Sequence, residues 1–178
     1  MTADASYGVG YLEALLEQHG LADRWCYLSQ DGSVHGMPRE RLSQLCRECD
    51  LYLDLSRVNW IPELGECPRR VLVDTDPVFT QIGAHGHGPP LSTYHARFTY
   101  GENVHRNGAD MPTDGLDWLP TRQPVVLDLW PLEPGDYTAP ITTVFNWLGY
   151  GESEHHGRVY GQKDRQFVPF FSLPRQRA

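Results

Sequence analysis

Two carboxylates stand two positions apart in this sequence, Asp74 and Asp76, with only Thr75 between them. The apolar run before them, residues 71–73, is typical of a strand covered on both faces in a parallel sheet. In open α/β sheets, ligands bind at the carboxyl ends of such strands. There the two carboxylates could hold a divalent cation, act as nucleophile and acid, or accept hydrogen bonds from sugar hydroxyls. The structural alternative is that they cap the turn that follows.

Two enzyme classes with a similar carboxylate pair can be tested against this sequence. Nucleoside hydrolases need a further acidic pair just downstream, but residues 78–80 are Val, Phe and Thr. Phosphatases of the haloacid dehalogenase type need a downstream lysine and a late acidic pair. Lys163 is the only lysine, and no adjacent pair of aspartates follows it. A metal-dependent phosphatase or hydrolase that uses Asp74 and Asp76 is therefore the third of three hypotheses.

A histidine could supply a general base. His95 and Glu102 flank residues 96–100, whose pattern predicts a strand, so both could stand at the rim of an active site. Histidine titrates near neutral pH and can take a proton from a hydroxyl group. The alternative for His95 is a hydrogen-bonded, partly buried side chain.

Four histidines and Asp76 could also be considered as ligands of a metal ion. His85 and His87 lie in a glycine-rich loop, and His155 and His156 follow far downstream, so Asp76 could join them. A His-x-His pair in such a loop is weak evidence, because most of these side chains are simply solvated. We therefore predict no metal ligand and no cofactor.

Apolar spacing predicts the elements that must position these residues. Helices are expected ahead of Gly20 and after Pro38. Strands are expected over residues 25–28, 51–55, 70–74, 96–100, 125–129 and 141–147, with long Gly- and Pro-rich loops over about 82–121. Helices between buried strands predict a single α/β domain over residues 1–178. Its fold would be a Rossmann-like, mostly parallel, doubly wound sheet with flanking helices.

The cysteines favour a structural role. Cys46 and Cys49 form a Cys-x-x-Cys pair, but a zinc ribbon needs a second close pair and none exists. A redox pair of the thioredoxin kind sits where a helix begins after a strand, whereas this pair ends a helix. With Leu42 and Leu45 it forms one apolar helix face, so we predict buried thiols.

Charge excludes several partners. The net charge is −8, and a surface this acidic repels nucleic-acid backbones and anionic membranes. The N-terminus has no basic region followed by an apolar run, and no apolar stretch approaches the roughly 20 residues that span a bilayer. These features predict a cytoplasmic protein that binds neither nucleic acid nor membrane.

Five motifs follow one another in an order typical of one family. They are residues 73–81 (Val-Asp-Thr-Asp-Pro-x-x-x-Gln), 98–103 (Phe-Thr-Tyr-Gly-Glu-Asn), 115–126 (Gly-x-x-Trp-x-x-Thr-Arg-Gln-Pro-Val-Val), 142–147 (Thr-Thr-Val-x-Asn-Trp) and 160–163 (Tyr-Gly-Gln-Lys). Together they resemble the N-terminal half of bacterial proteins described as family 1 glycosyltransferases, over about residues 10–175.

The resemblance implies two facing Rossmann-like domains that work without a bound metal. The C-terminal domain would hold a nucleotide-sugar donor, and the N-terminal domain would present a carbohydrate or other hydroxyl acceptor. In this hypothesis Asp76 or His95 is the base that deprotonates the acceptor. The acceptor pocket would be lined by Asp74, Gln81, Glu102, Asn146 and Trp147.

The sequence departs from the family at both ends, since the expected opening strand and the donor domain are not in it. We therefore expect negligible transferase activity from these 178 residues alone. An apolar face left uncovered would be covered by self-association. The alternative function is a non-catalytic carbohydrate-binding or partner-docking domain, which would bind glycans and no sugar nucleotide.

Overall fold

The computed structural model describes residues 5–83, 88–106, 111–132, 134–135, 138–140, 142–147, 149, 151–161 and 163–172. The helices are α1 (Ser6–Gln18), α2 (Arg39–Glu48) and α3 (Lys163–Phe167). The strands are β1 (Cys26–Leu28), β2 (Val34–Gly36), β3 (Tyr52–Leu55), β4 (Arg70–Asp74), β5 (Ala96–Thr99), β6 (Leu119–Pro120), β7 (Ser153–His155) and β8 (Arg158–Tyr160). Within these residues no helix has the length and apolar character needed to cross a bilayer.

The N-terminal part consists of α1, an antiparallel hairpin and α2. Strands β1 and β2 pair in the hairpin, and Gly36, the last residue of β2 and the partner of Cys26, has a φ of +75°. A Cβ on Gly36 would lie 2.6 Å from the backbone oxygen of Trp25, so only glycine fits there. Helix α2 begins directly after Pro38, as predicted, and buries Cys46. Its first turn is tied to the next segment by an ion pair, because Arg39 Nε lies 2.5 Å from Glu63 Oε1.

Strands β3 to β6 form one parallel sheet in chain order, which confirms the predicted parallel α/β class. Parallel strands need crossovers of a dozen or more residues, and here they span 56–69, 75–95 and 100–118. The first two crossovers each contain a 3-10 turn, and none of the three contains an α-helix among its described residues. The strand order also has no reversal within the described part, so the doubly wound arrangement is not found there. Right-handed crossovers that all run in one direction lie on one face of a sheet.

The two faces of the sheet differ accordingly. On the covered face, Leu72 packs with Tyr94 and Trp118 in the main core, and all three are buried. On the opposite face, Leu53 and Leu55 of β3 are each about half exposed, at 51% and 53%. They open onto a cleft of about 610 Å³ whose other walls include side chains of α1, β1 and α2.

Two predicted strands are wrong. Residues 125–129 are exposed and include the 3-10 turn Leu127–Leu129, while β6 takes the position beside β5. This apolar run lies between Pro124 and Pro131, neither of which can donate to a sheet ladder. Residues 142–147 also form no strand, and residue 141 lies outside the described part.

Candidate functional site

The carboxyl ends of the four parallel strands lie side by side. We call this region the carboxyl edge and define it as residues 56–57, 75–78, 100–102 and 121–122. Backbone hydrogen bonds hold its segments in line just past the strands. Ser56 N donates to Val73 O (3.0 Å), Tyr100 N to Asp74 O (3.0 Å) and Thr121 N to Thr99 O (2.8 Å). By topology this is the edge at which an α/β sheet binds ligands.

Asp74, the last residue of β4, is fully buried beneath this edge. Its Oδ2 accepts hydrogen bonds from Thr99 Oγ1 (2.6 Å) and from Gln81 Nε2 (2.7 Å), and its Oδ1 accepts one from the backbone N–H of Asp76 (2.9 Å). Gln81 is also buried, and its Oε1 accepts a hydrogen bond from Val78 N (2.5 Å). The carboxylate therefore joins β4, β5 and the turn that follows β4.

This arrangement decides the role of Asp74. A buried carboxylate whose two oxygens accept three hydrogen bonds is not presented to a phosphate or to an acceptor. The structural alternative from the sequence, a carboxylate that caps the following turn, describes Asp74 correctly. Gln81 likewise faces Asp74 instead of lining an open pocket. A nucleophilic role for Asp74 in a phosphatase is incompatible with this geometry.

Asp76 differs from Asp74 because it lies two residues beyond the strand end and is partly exposed. In the residue before it, the hydroxyl of Thr75 is hydrogen-bonded to the hydroxyl of Ser56. At the other end of the carboxyl edge, Glu102 pairs with Arg122, with Oε1 and Nε 2.8 Å apart. The edge thus offers hydroxyls, carboxylates and one guanidinium, which can bind a ligand rich in hydroxyl groups.

The backbone of the carboxyl edge adopts uncommon conformations. Ser56 and Arg57 have φ values of +66° and +59°, and Val78 has +80°. Positive φ is an outlier for a β-branched residue such as valine. Strained residues of this kind persist only where their surroundings fix them, and they cluster at functional sites. The hydrogen bond from Val78 N to buried Gln81 is one such restraint.

A second buried network lies under the same edge and was not predicted from the sequence. Asp54 of β3 accepts hydrogen bonds from the Tyr94 hydroxyl and from Arg57 N (3.2 Å). Burial first, and then this hydrogen bond, raise the pKa of Tyr94. The Arg57 guanidinium donates to the carbonyls of Gly88 (3.2 Å) and Pro89 (3.1 Å). The network fixes the segment that leads into β5.

His95 does not lie at the carboxyl edge. It precedes β5, and its N–H donates to Arg70 O at the start of β4 (2.9 Å). Its Nδ1 accepts a hydrogen bond from Arg70 N (3.2 Å). His95 therefore stands at the amino end of the sheet, whereas Asp76 follows the carboxyl end, and the structure does not bring these two candidate bases together. The alternative for His95 is therefore correct for the hydrogen bond and wrong for the burial, because the side chain is exposed.

Trp147 belongs to an aromatic cluster, and Asn146 precedes it in the chain. Trp147 stacks on Phe171 with ring centroids 5.8 Å apart and contacts Phe145 at 6.1 Å. Phe145 in turn packs on Phe167 at 4.7 Å, so these rings form an aromatic cluster with the segment after α3. Asn146 is exposed.

His155 and His156 lie beside an aspartate that differs from the one proposed from the sequence. His85 and His87 lie outside the described residues. His155 and His156 meet Asp114, and not Asp76, at the turn before β6. No local pattern indicates Asp114, because the contact joins two turns 41 positions apart.

The prediction of buried thiols is confirmed for Cys46 and not for Cys49, which follows the end of α2. Cys46 and Cys67 are buried, and Cys49 is partly exposed. Burial raises the pKa of Cys46, and burial together with hydrogen bonding to Cys49 and Cys46 raises the pKa of Cys67 to about 12. Such thiols stay protonated at neutral pH and are poor nucleophiles.

Comparisons of the chain with known protein families, with curated proteins and with solved structures found no match. Its function must therefore be inferred from the carboxyl edge and from the ordered motifs.

Proposed function

We propose that this chain is the acceptor-side part of a glycosyltransferase that moves a sugar from a nucleotide-sugar donor to a hydroxyl acceptor. The acceptor, a carbohydrate or another hydroxylated compound, binds at the carboxyl edge. The Rossmann-like character of the sheet belongs to the same proposal. The donor is held by a second domain of the kind that the family resemblance implies.

The observation that carries the proposal is that the two aspartates have different environments. Asp74 is buried and its hydrogen bonds join the segments of the carboxyl edge, whereas Asp76 is partly exposed at that edge. The hydroxyls of Ser56 and Thr75 meet at the same edge, where Thr75 precedes Asp76 in the chain, and carboxylates and hydroxyls are groups that bind sugar hydroxyls. Three of the five family motifs, residues 73–81, 98–103 and 115–126, include segments of this edge.

In this proposal Asp76 is the base that accepts the proton of the acceptor hydroxyl as the oxygen attacks the donor sugar. His95 is excluded as its partner because it lies at the opposite end of the strands. Glu102 and Arg122 orient the acceptor from the far end of the edge. Most of the catalytic effect comes from positioning, and charge on the leaving diphosphate is stabilised by the donor-side domain.

Binding measurements on the 178-residue chain test this proposal. Isothermal titration with a panel of free mono- and disaccharides is expected to find at least one saturable ligand. Asp76→Asn should weaken its binding by roughly 10-fold or more, the loss of one hydrogen bond to a charged group. Asp50→Asn is the matched control, because Asp50 is exposed and precedes β3 at the amino end of the sheet.

Assays of sugar transfer from UDP-glucose, together with the binding data, separate the proposal from its alternatives. We expect no donor turnover by this chain alone. Turnover by the 178 residues, or saccharide binding that Asp76→Asn leaves intact, would contradict the proposal. Saccharide binding that persists without transfer, once the chain is joined to a donor-binding domain, would identify a carbohydrate-binding module instead.

A further inference from the structure

A second group of polar side chains lies where the hairpin of β7 and β8 meets the turn before β6. His155 Nε2 lies 3.0 Å from Asp114 Oδ1, and His156 Nε2 lies 3.6 Å from the same oxygen. The two imidazole rings contact each other edge to face, with centroids 4.1 Å apart. One ligand atom from each residue lies within 4.8 Å of the others. In the part of the chain that the structure describes, no other trio of metal-ligand side chains is this close.

Two tight turns bring the three side chains together. His155 ends β7 opposite Arg158, so the hairpin closes through His156 and Gly157, whose φ values are +50° and +77°. This is the pattern of a two-residue type I′ turn. Consecutive side chains of a strand point to opposite faces, but the turn allows both imidazoles to reach one side. Asp114 also has a positive φ, +49°.

The spacing fits the coordination of one metal ion. Zinc binds imidazole nitrogen and carboxylate oxygen at about 2.0–2.2 Å, which places neighbouring ligands about 3.3 Å apart in a tetrahedron. The two distances to Asp114 Oδ1, 3.0 and 3.6 Å, lie on either side of this value. His155 has a side-chain exposure of 16% and is the ligand fixed in the protein, whereas His156 at 80% faces solvent.

An ion pair with Asp114 needs only one imidazole, but both imidazole nitrogens lie within 3.6 Å of the same carboxylate oxygen. A shared cation accounts for the convergence of all three side chains. Two nitrogens and one oxygen suit zinc-like transition metals, whereas calcium and magnesium prefer oxygen ligands throughout.

We propose that Asp114, His155 and His156 bind one divalent transition-metal ion of the zinc class. Three protein ligands leave at least one coordination position for water or an exchangeable ligand. The ion joins the β7–β8 hairpin to the turn before β6. This site is independent of the acceptor site at the carboxyl edge, because it shares no residue with it.

Cobalt and zinc titrations of the full chain, after treatment with a chelator, test this site. Zn²⁺ should bind with a stoichiometry of one, and at about 100 times its Kd should raise the melting temperature by roughly 5–11 °C. Co²⁺ should give visible bands of nitrogen and oxygen coordination. His156→Ala should weaken binding by about 100-fold or more, since even partners of metal ligands contribute 10–100-fold. Because His156 is exposed, this variant should fold normally.

Two controls keep the result interpretable. His105→Ala removes an exposed histidine elsewhere and should leave metal binding unchanged. Asp114→Asn tests the carboxylate by a conservative change and should also weaken binding. Failure to bind Zn²⁺ even at millimolar concentration would overturn the site and leave an ion pair. A thiolate-to-cobalt charge-transfer band lost in Cys67→Ser, or binding unaffected by His156→Ala, would overturn it as well.

Discussion

Substitutions of Asp74 test how the carboxyl edge is built, because they show whether this residue stabilises the fold or contacts a ligand. Asp74→Ala leaves three hydrogen-bond donors without their acceptor, from Thr99, Gln81 and the backbone of Asp76. A hydrogen bond to a charged group contributes about 1.5–3 kcal/mol, and the three are not additive because they share one carboxylate. We expect the free energy of unfolding to fall by about 3–5 kcal/mol.

Asp74→Asn is the more informative variant. The amide keeps one oxygen, which can still accept from Thr99 and Gln81, but its NH2 group then faces the N–H of Asp76. Two donors then face each other where one hydrogen bond had been, so we expect the free energy of unfolding to fall by about 2 kcal/mol. For a chain of this length that lowers the melting temperature by about 4–8 °C. Thr99→Val, which removes the hydroxyl that donates to Oδ2 of the same carboxylate, should have a similar effect.

Urea unfolding followed by tryptophan fluorescence measures these losses, with Asp50→Asn as the exposed control expected within about 0.5 kcal/mol of the parent. The double variant of Asp74 and Thr99 should lose less than the sum of the two single losses. The reasoning would be refuted if Asp74→Asn had the same free energy of unfolding as the parent but no longer bound an acceptor. Asp74 would then be a residue that contacts the ligand.

Three further predictions concern the buried network, the thiols and the uncovered sheet face. Tyr94→Phe removes the hydroxyl that donates to Asp54 and should cost about 1.5–3 kcal/mol in urea unfolding, and a loss below about 0.5 kcal/mol would contradict it. Because the pKa of Cys67 is raised to about 12, its thiol favours the folded state below pH 9, and this contribution is lost as pH rises towards 12. Native Cys67 should therefore label slowly with iodoacetamide at pH 8, as followed by peptide mass spectrometry. Leu55→Glu should reduce self-association in sedimentation velocity, since Leu55 is half exposed beside the apolar cleft, and an unchanged association would exclude this face.

The sequence predicts the elements with strong patterns well. β4 was expected over 70–74 and is found there, because a short apolar run bounded by turn residues has few alternatives. β6 could not be predicted, because Leu119–Pro120 is two residues long and includes a proline. Alternation also misleads in β3, where Asp54 is the buried residue and Leu53 and Leu55 are exposed. The hydrogen bonds of Asp54, which no periodicity encodes, explain that inversion.

The site is predicted less completely for a related reason. Residues i and i+2 of a strand face the same side, so Asp74 and Asp76 look equivalent in the sequence. β4 ends at Asp74, however, and the chain turns at once, so one carboxylate is buried and the other partly exposed. The meeting of Asp114 with His155 depends on how two distant turns pack. Tertiary contacts of this kind leave no local signal in a single sequence.

The turn after β4 provides a last prediction, in which the usual order of two substitutions is reversed. Val78 has a φ of +80°, a conformation that costs a residue with a Cβ about 1–2 kcal/mol and costs glycine almost nothing. Elsewhere a change to glycine destabilises more than a change to alanine, by about 0.5–1 kcal/mol. Here Val78→Gly should be more stable than Val78→Ala by about 1 kcal/mol in urea unfolding, because both lose the side chain but only glycine loses the strain. The reversed order would also show why valine is tolerated: the hydrogen bond from its N–H to Gln81, itself bonded to Asp74, holds the turn from within. A Val78→Gly protein less stable than Val78→Ala would mean that the turn carries no strain and that Asp76 is positioned by other contacts.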